Sequence, residues 1–153
     1  MLCIIRGLPG SGKSTFASRS FPGAFHIEND MLHITNGKYE FREDLAAERQ
    51  KKVKDIVREV LNAGADVIIS NVFPSPKKLK DFIQMAKDVG TDCSIFRMTG
   101  NFMNRHSVPE KVLAAMKSQF RDIPVGPEWP VEIFVKIETN GEYSLHLKEE
   151  MEK

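Results

Sequence analysis

Apolar residues recur along this chain with two different periods, and the alternation between them predicts its layout. Leu2–Arg6, Phe25–Glu28, residues 66–70 and Cys93–Met98 are short apolar runs bounded by glycine or polar residues, the pattern of buried strands. Helical spacing fills the intervals. Val53, Ile56, Val57, Val60 and Leu61 put one apolar stripe on a helix over residues 43–63, ended by Gly64. Leu79, Phe82, Ile83, Ala86 and Val89 repeat that spacing after Ser75-Pro76, a capping residue followed by a proline suited to the first helical turn. Ser107-Val108-Pro109-Glu110 has capping-box spacing and opens a helix carrying Val112, Leu113, Met116 and Phe120.

Strands alternating with helices of this length predict βαβ units, hence an α/β fold with a mainly parallel sheet flanked by helices. The end of the chain departs from that rhythm. Val131, Ile133, Val135 and Ile137 alternate with other residues, and Asn140-Gly141 separates them from a run starting at Tyr143, which predicts a C-terminal β-hairpin at about residues 131–147. Residues 122–130 contain three of the eight prolines and read as a connecting loop, and the charged tail 148–153 reads as solvated. A length of 153 residues, 41% of them hydrophobic, suits one domain over residues 1–153.

Charge narrows the field. The 22 Lys and Arg against 21 Asp and Glu leave a formal net charge of +1, too little to hold nucleic acid by bulk charge, although a local basic patch would not register in the sum. The first apolar run is too short for a signal peptide or a membrane span, so a cytoplasmic protein without a membrane partner is expected. Cys3 and Cys93 lie in strand-like runs without metal-ligand spacing and are expected to be reduced core residues.

Gly7-Leu8-Pro9-Gly10-Ser11-Gly12-Lys13-Ser14 satisfies G-x-x-x-x-G-K-[ST], with an apolar strand before it and a helix-compatible stretch Lys13–Ser20 after it. The glycines let the backbone curl so that successive N–H groups face phosphate oxygens, and the following helix adds its positive end. Gly7, Pro9, Gly10, Ser11, Gly12, Lys13, Ser14 and Thr15 are therefore the candidate ATP-binding residues, with Lys13 on the β and γ phosphates and the Ser14 hydroxyl as the candidate ligand of Mg2+. The P-loop NTPase-type fold follows, but the loop names a ligand and not a reaction. On the acceptor side, Asp30 follows the second strand, where a carboxylate can take a proton from an attacking hydroxyl; its bland alternative is a cap on a helical segment 31–34.

The order of the P-loop, Asp30, Gly37-Lys38-Tyr39-Glu40-Phe41, Val67-Ile68-Ile69-Ser70-Asn71 and Asn104-Arg105-His106-Ser107-Val108-Pro109 resembles the P-loop kinase family that includes 5′-polynucleotide kinase domains and related small ATP-binding proteins. The resemblance spans about residues 2–120 and implies phosphorylation of a hydroxyl by ATP, with Asp30 as general base, Arg105 as a lid cation and Lys13 on the phosphates. It implies a nucleic-acid 5′-hydroxyl end, a nucleoside or a nucleotide as acceptor. The chain departs from that pattern in several places. His33 stands where those kinases hold the acceptor phosphate with arginine, Asn71 replaces an acidic residue, Val72-Phe73 replaces Thr-Asn, and Met103 replaces an arginine. The expected function is a magnesium-dependent ATP phosphotransferase most like a 5′-hydroxyl polynucleotide kinase, with a small nucleoside, nucleotide or metabolite kinase, or an ATP-binding interaction protein that has lost catalysis, as the alternatives.

Outside these motifs, Arg97 and Arg121 are further candidates for triphosphate contact. Lys51, Lys52 and Lys54, and Lys77, Lys78 and Lys80, are candidate nucleic-acid contacts without interleaved aromatics. His33 is expected to face the acceptor pocket. Trp129 is expected to pack against the terminal hairpin rather than reach adenine.

Overall fold

A computed structural model describes residues 1–28, 34–35, 38–39, 43–100 and 109–152. In chain order the elements are β1 (Leu2–Arg6), α1 (Lys13–Ser20), β2 (Phe25–Glu28), β3 (Ile34–Thr35), β4 (Lys38–Tyr39), α2 (Glu43–Asn62) and β5 (Val67–Asn71). A 3₁₀ turn (Pro76–Leu79), α3 (Lys80–Val89), β6 (Cys93–Met98), α4 (Glu110–Gln119), β7 (Glu132–Ile137), β8 (Tyr143–His146) and α5 (Lys148–Met151) complete them. Six strands form one sheet in the order β2-β5-β1-β6-β7-β8, parallel throughout except for the antiparallel β7–β8 hairpin. Both the α/β architecture and the C-terminal hairpin expected from the sequence are present.

Because strand side chains alternate, β1 feeds two cores. Leu2 and Ile4 join Val67, Ile69 and Ile95 under α2 and α3, whose stripes supply Val53, Val57, Leu61, Phe82, Ile83, Met85 and Ala86. Cys3 and Ile5 join Ile68, Met98 and Val135 on the other face, under Phe16 and Ala17 of α1. Each large aliphatic side chain so buried stabilises the fold by about 1.5–3 kcal/mol relative to exposure. Central β1 is buried at every position and places its carboxyl end in the middle of the rim, where the P-loop starts.

Three local expectations change. Ile34 and Thr35 pair antiparallel with Tyr39 and Lys38, so the segment expected to be helical through Ile34 is strand at its end. Ser75 makes no side-chain cap, and Pro76 starts a 3₁₀ turn before α3 rather than α-helix. Residues 148–151 of the charged tail, exposed as expected, form the short helix α5, tied by Lys148 Nζ to Asp122 Oδ2 at 3.0 Å. Trp129 packs on the core under α3, not on the hairpin. Both cysteines are free thiols, Cys3 buried and Cys93 half-buried, as expected. Among the described residues no helix is long and apolar enough to cross a membrane.

Candidate functional site

Residues 7–12 leave β1 and curl back onto themselves. Gly7 N donates to Val72 O at 3.3 Å, Ser11 N to Leu8 O at 3.1 Å and Phe16 N to Gly12 O at 3.0 Å. Gly10 and Gly12 take φ of 79° and 92°, a left-handed backbone that a side chain disfavours. Gly7 is required for space, since a methyl group there would meet Ser11 Oγ at 2.5 Å and Met98 Cβ at 3.0 Å. Gly12 caps α1 without a side chain, and no acidic residue occupies the first turn, so the positive end of the helix is left for an anion.

Lys13 folds back over the loop. Its Nζ donates to Gly7 O and Leu8 O, both at 3.0 Å, and its side chain is largely buried. Ser14 and Thr15 are exposed at the start of α1, whereas Ser11 Oγ is buried without a hydrogen-bond partner among the described residues. A buried hydroxyl left unpaired costs about 1–3 kcal/mol, and a phosphate oxygen in the curl is the kind of acceptor that offsets it.

The residue that sequence reasoning did not single out is Glu28. It ends β2, which runs parallel to β5 with Glu28 beside Ser70, and both face α1. Ser14 Oγ donates to Glu28 Oε1, and Ser70 Oγ donates to the same oxygen at 3.2 Å. A carboxylate therefore stands beside the hydroxyl expected to ligate Mg2+, and it comes from the second strand. Asn71 does different work, accepting the N–H of Val72 on Oδ1 at 2.8 Å and shaping the turn after β5. The available signal was the alternation of His26, Ile27 and Glu28, which puts the histidine and the glutamate on one face at the rim.

Among the described residues no group of three or more His, Cys, Asp or Glu side chains could hold a metal ion unaided. One hydroxyl and one carboxylate beside a phosphate cradle fit Mg2+, which keeps several waters and enters with the nucleotide phosphates. Because Ser14 commits its proton to Glu28, its oxygen lone pairs remain for a cation.

Asp30, His33, Met103, Asn104, Arg105 and His106 lie outside the described residues. Arg97 and Arg121 are engaged away from the loop. Arg97 pairs with Asp122 at 2.6 Å and stacks on Phe120 and Phe134, on the α2 and α3 side of the sheet. Arg121 Nη1 donates to Ser118 O at 2.7 Å. Lys54 pairs with Asp81 across α2 and α3 at 2.7 Å, while Lys51, Lys52, Lys77, Lys78 and Lys80 are exposed.

Comparison with known proteins agrees with this geometry. An uncharacterized protein of Pasteurella multocida (strain Pm70) is 28% identical over 143 residues, covering 83% of this chain and 80% of the relative. The chain is similar in structure to the Pnkp1/Rnl/Hen1 RNA repair complex, with 22% identity and a TM-score of 0.56 over 80% of this chain. It covers 47% of that protein, about half its length. An unliganded sugar kinase from Janibacter sp. HTCC2649 is similar at 14% identity and a TM-score of 0.58, covering 87% of this chain and 83% of the kinase. At such identities the likeness is one of fold. This is an ATP-binding P-loop domain with a fold shared by several kinases. A family model described as an AAA domain matches residues 2–99, which contain the P-loop, α1, Glu28 and Ser70, and the chain belongs to that family.

Proposed function

We propose that this protein transfers the γ-phosphate of ATP, with Mg2+, to a hydroxyl of a small acceptor such as a nucleoside, nucleotide or other hydroxylated metabolite. The observation that carries the reading is the corner where Lys13 lies over the P-loop carbonyls and Ser14 is bonded to Glu28. That corner offers a cation for the transferring phosphate and a hydroxyl with a carboxylate for the metal. Mg2+, when bound, neutralises charge on the β and γ oxygens. The acceptor oxygen forms the new P–O bond, the bond to the bridging oxygen of ADP breaks, and the acceptor proton passes to Asp30. Lys13 stabilises charge on the transferring group, and Arg105 is the further cation that the resemblance to P-loop kinases implies.

A small acceptor is favoured over a nucleic-acid end for three reasons. The position of the arginine that holds the acceptor phosphate in polynucleotide kinases is His33, and Lys54 is committed to Asp81 rather than to a basic track. The sugar kinase also matches this chain over most of its own length, whereas the RNA repair protein is about twice as long. One observation favours a 5′-hydroxyl strand: an open groove of about 430 Å³ brings Trp129 beside Lys80 and Lys87, supplying an aromatic next to lysines.

Purified protein with labelled ATP and a panel of nucleosides, nucleotides, sugars and 5′-hydroxyl oligonucleotides separates the readings. Transfer to a small hydroxyl is expected, and Asp30→Asn should keep ATP affinity while lowering transfer by about 10²-fold or more. Preferential labelling of oligonucleotides, together with quenching of Trp129 fluorescence that weakens steeply with salt, would move the assignment to a polynucleotide kinase. ATP binding without transfer to any acceptor would favour the interaction protein.

A further inference from the structure

The hydrogen bonds behind Glu28 do not stop at Ser70. His26 and Glu28 are two residues apart on β2 and share the face of Ser70, which His26 reaches through Nε2 at 2.8 Å from Ser70 Oγ. The same nitrogen lies 3.4 Å from Glu28 Oε1. Proton counting fixes the direction of this chain. Ser14 and Ser70 each have one hydroxyl proton, and both give it to Glu28 Oε1. Ser70 Oγ must then accept from His26, so the imidazole carries its proton on Nε2 and donates. The donors gather on Oε1, and among the described residues no side chain donates to Oε2.

We infer that His26 is a positioning residue for the metal side of the nucleotide site, acting through Ser70 to hold Glu28 with one oxygen occupied by donors and the other available to the hydrated cation. The inference deepens the ATP-dependent reading above and rests on it. The physical reason lies in the freedom of a glutamate. With three rotatable bonds at a strand end, Glu28 has several directions open to it. A donor pair at Ser14 and Ser70, with the second fixed by an imidazole held on the sheet, leaves it one. Removal of His26 frees the Ser70 hydroxyl to turn elsewhere and loosens the carboxylate without touching the phosphate cradle. Partners that orient a metal-binding carboxylate in this way typically set metal affinity over a 10- to 100-fold range.

The experiment measures Mn2+, used in place of Mg2+, by titrating the protein with ATP present and following free Mn2+ by electron paramagnetic resonance. ATP affinity is measured separately in EDTA. His26→Leu should weaken Mn2+ binding to the protein–ATP complex by about 10-fold or more, with metal-free ATP affinity and the thermal midpoint little changed. His26→Gln, whose amide N–H can donate to Ser70, should recover most of the loss. Ser70→Ala should reproduce the loss, and the double variant should be no worse than either single one, because both break the same relay. Wild-type Mn2+ affinity in both His26→Leu and Ser70→Ala, no rescue by glutamine, or losses that simply add would each overturn the role of His26. Absence of Mn2+ and ATP binding in the wild-type protein would overturn the nucleotide-site reading together with this one.

Discussion

Two basic side chains sit seven residues apart at the carboxyl end of β1, and their surroundings are opposites. Arg6 is wholly inaccessible and faces α2 and α3. Its Nη1 pairs with Glu132 at 3.0 Å, and its other nitrogens donate to Phe73 O at 3.0 Å, Arg121 O at 2.6 Å and Pro74 O at 3.4 Å. The guanidinium also lies 4.3 Å from the Phe120 ring, and Glu132 Oε2 accepts the N–H of Ile123 at 3.0 Å. Burial lowers the Arg6 pKa to about 10, with Glu132 opposing the fall. Lys13, on the other face, rests on two backbone carbonyls that a phosphate can replace as partners. Beside it lie the Ser11 hydroxyl, unpaired among the described residues, and the carboxylate on Ser14. The contrast separates two uses of buried charge. A cation surrounded by fixed acceptors holds the chain together, whereas the one over a curl of amides is, in the function proposed above, held for a phosphate.

Replacing each cation in turn gives the largest contrast. Arg6→Ala leaves buried Glu132 only the longer pairing with Arg97 at 3.7 Å, takes the donor from three backbone carbonyls and releases the segment 120–123, so a loss of about 3–5 kcal/mol is expected in urea unfolding. The strained turn at Phe73, with φ of 46°, loses the donor on its carbonyl as well. Replacing Arg6 and Glu132 together by Met and Leu should recover much of that loss, since two apolar groups leave no unpaired charge. If Arg6→Ala unfolds at the wild-type urea midpoint, the structural role assigned to Arg6 is wrong.

Lys13→Ala should do the reverse. The fold should lose about 1–3 kcal/mol at most, the cost of leaving the buried Gly7 carbonyl without its donor, less than Arg6→Ala loses, while ATP binding by calorimetry should weaken by about 10- to 100-fold through loss of a charge-assisted bond to phosphate. Unchanged ATP affinity together with a stability loss as large as that of Arg6→Ala would mean that Lys13 is part of the scaffold like Arg6.

This contrast also marks what a sequence can show. The P-loop and α1 were legible because their chemistry is local: the loop and the first turn of the helix are set by consecutive residues, and Lys13–Ser20 forms as expected. The sheet was legible because strand and helix periods differ. Arg6 read only as the end of an apolar run, since its partners lie 67 to 126 residues away. Glu28 was hidden for the same reason: its meaning depends on the β2–β5 register that sets it beside Ser70. Trp129 was assigned to the hairpin because nearness along the chain stood in for nearness in space, and α3 was the true neighbour.

A second comparison uses two glycines. Gly7→Ala should cost about 1–3 kcal/mol, because the added methyl meets Ser11 Oγ and Met98 from a backbone position fixed by the sheet, and it should weaken ATP binding by displacing the loop. Gly23→Ala, where nothing lies within 4 Å of the new methyl, should leave both unchanged. Thermal midpoints and calorimetry on the two variants decide it. A Gly7→Ala protein as stable as Gly23→Ala would show that the loop is looser than its contacts imply.

The smallest effect belongs to the thiols of the core. Burial pushes Cys3 from the ordinary 9.0 up to about 12, with Cys93 adding to the rise, and pushes Cys93 up to about 11 against a small opposing pull from Lys87. In the unfolded chain both thiols lose their protons around pH 9.0, whereas in the folded chain they keep them. Their contribution is therefore fully present below pH 9.0 and is lost as pH rises toward about 11 for Cys93 and about 12 for Cys3. Each fully responding thiol contributes a slope of about 1.4 kcal/mol per pH unit. Urea unfolding of wild type and Cys3→Ala at several pH values between 8 and 10.5 isolates this term, because lysines titrate alike in both proteins. The variant should lose stability less steeply above pH 9.0, the value at which an exposed thiol ionises. Parallel pH profiles would mean that Cys3 is as accessible to ionisation folded as unfolded, and that the core under α1 is less tightly closed than the one around Arg6.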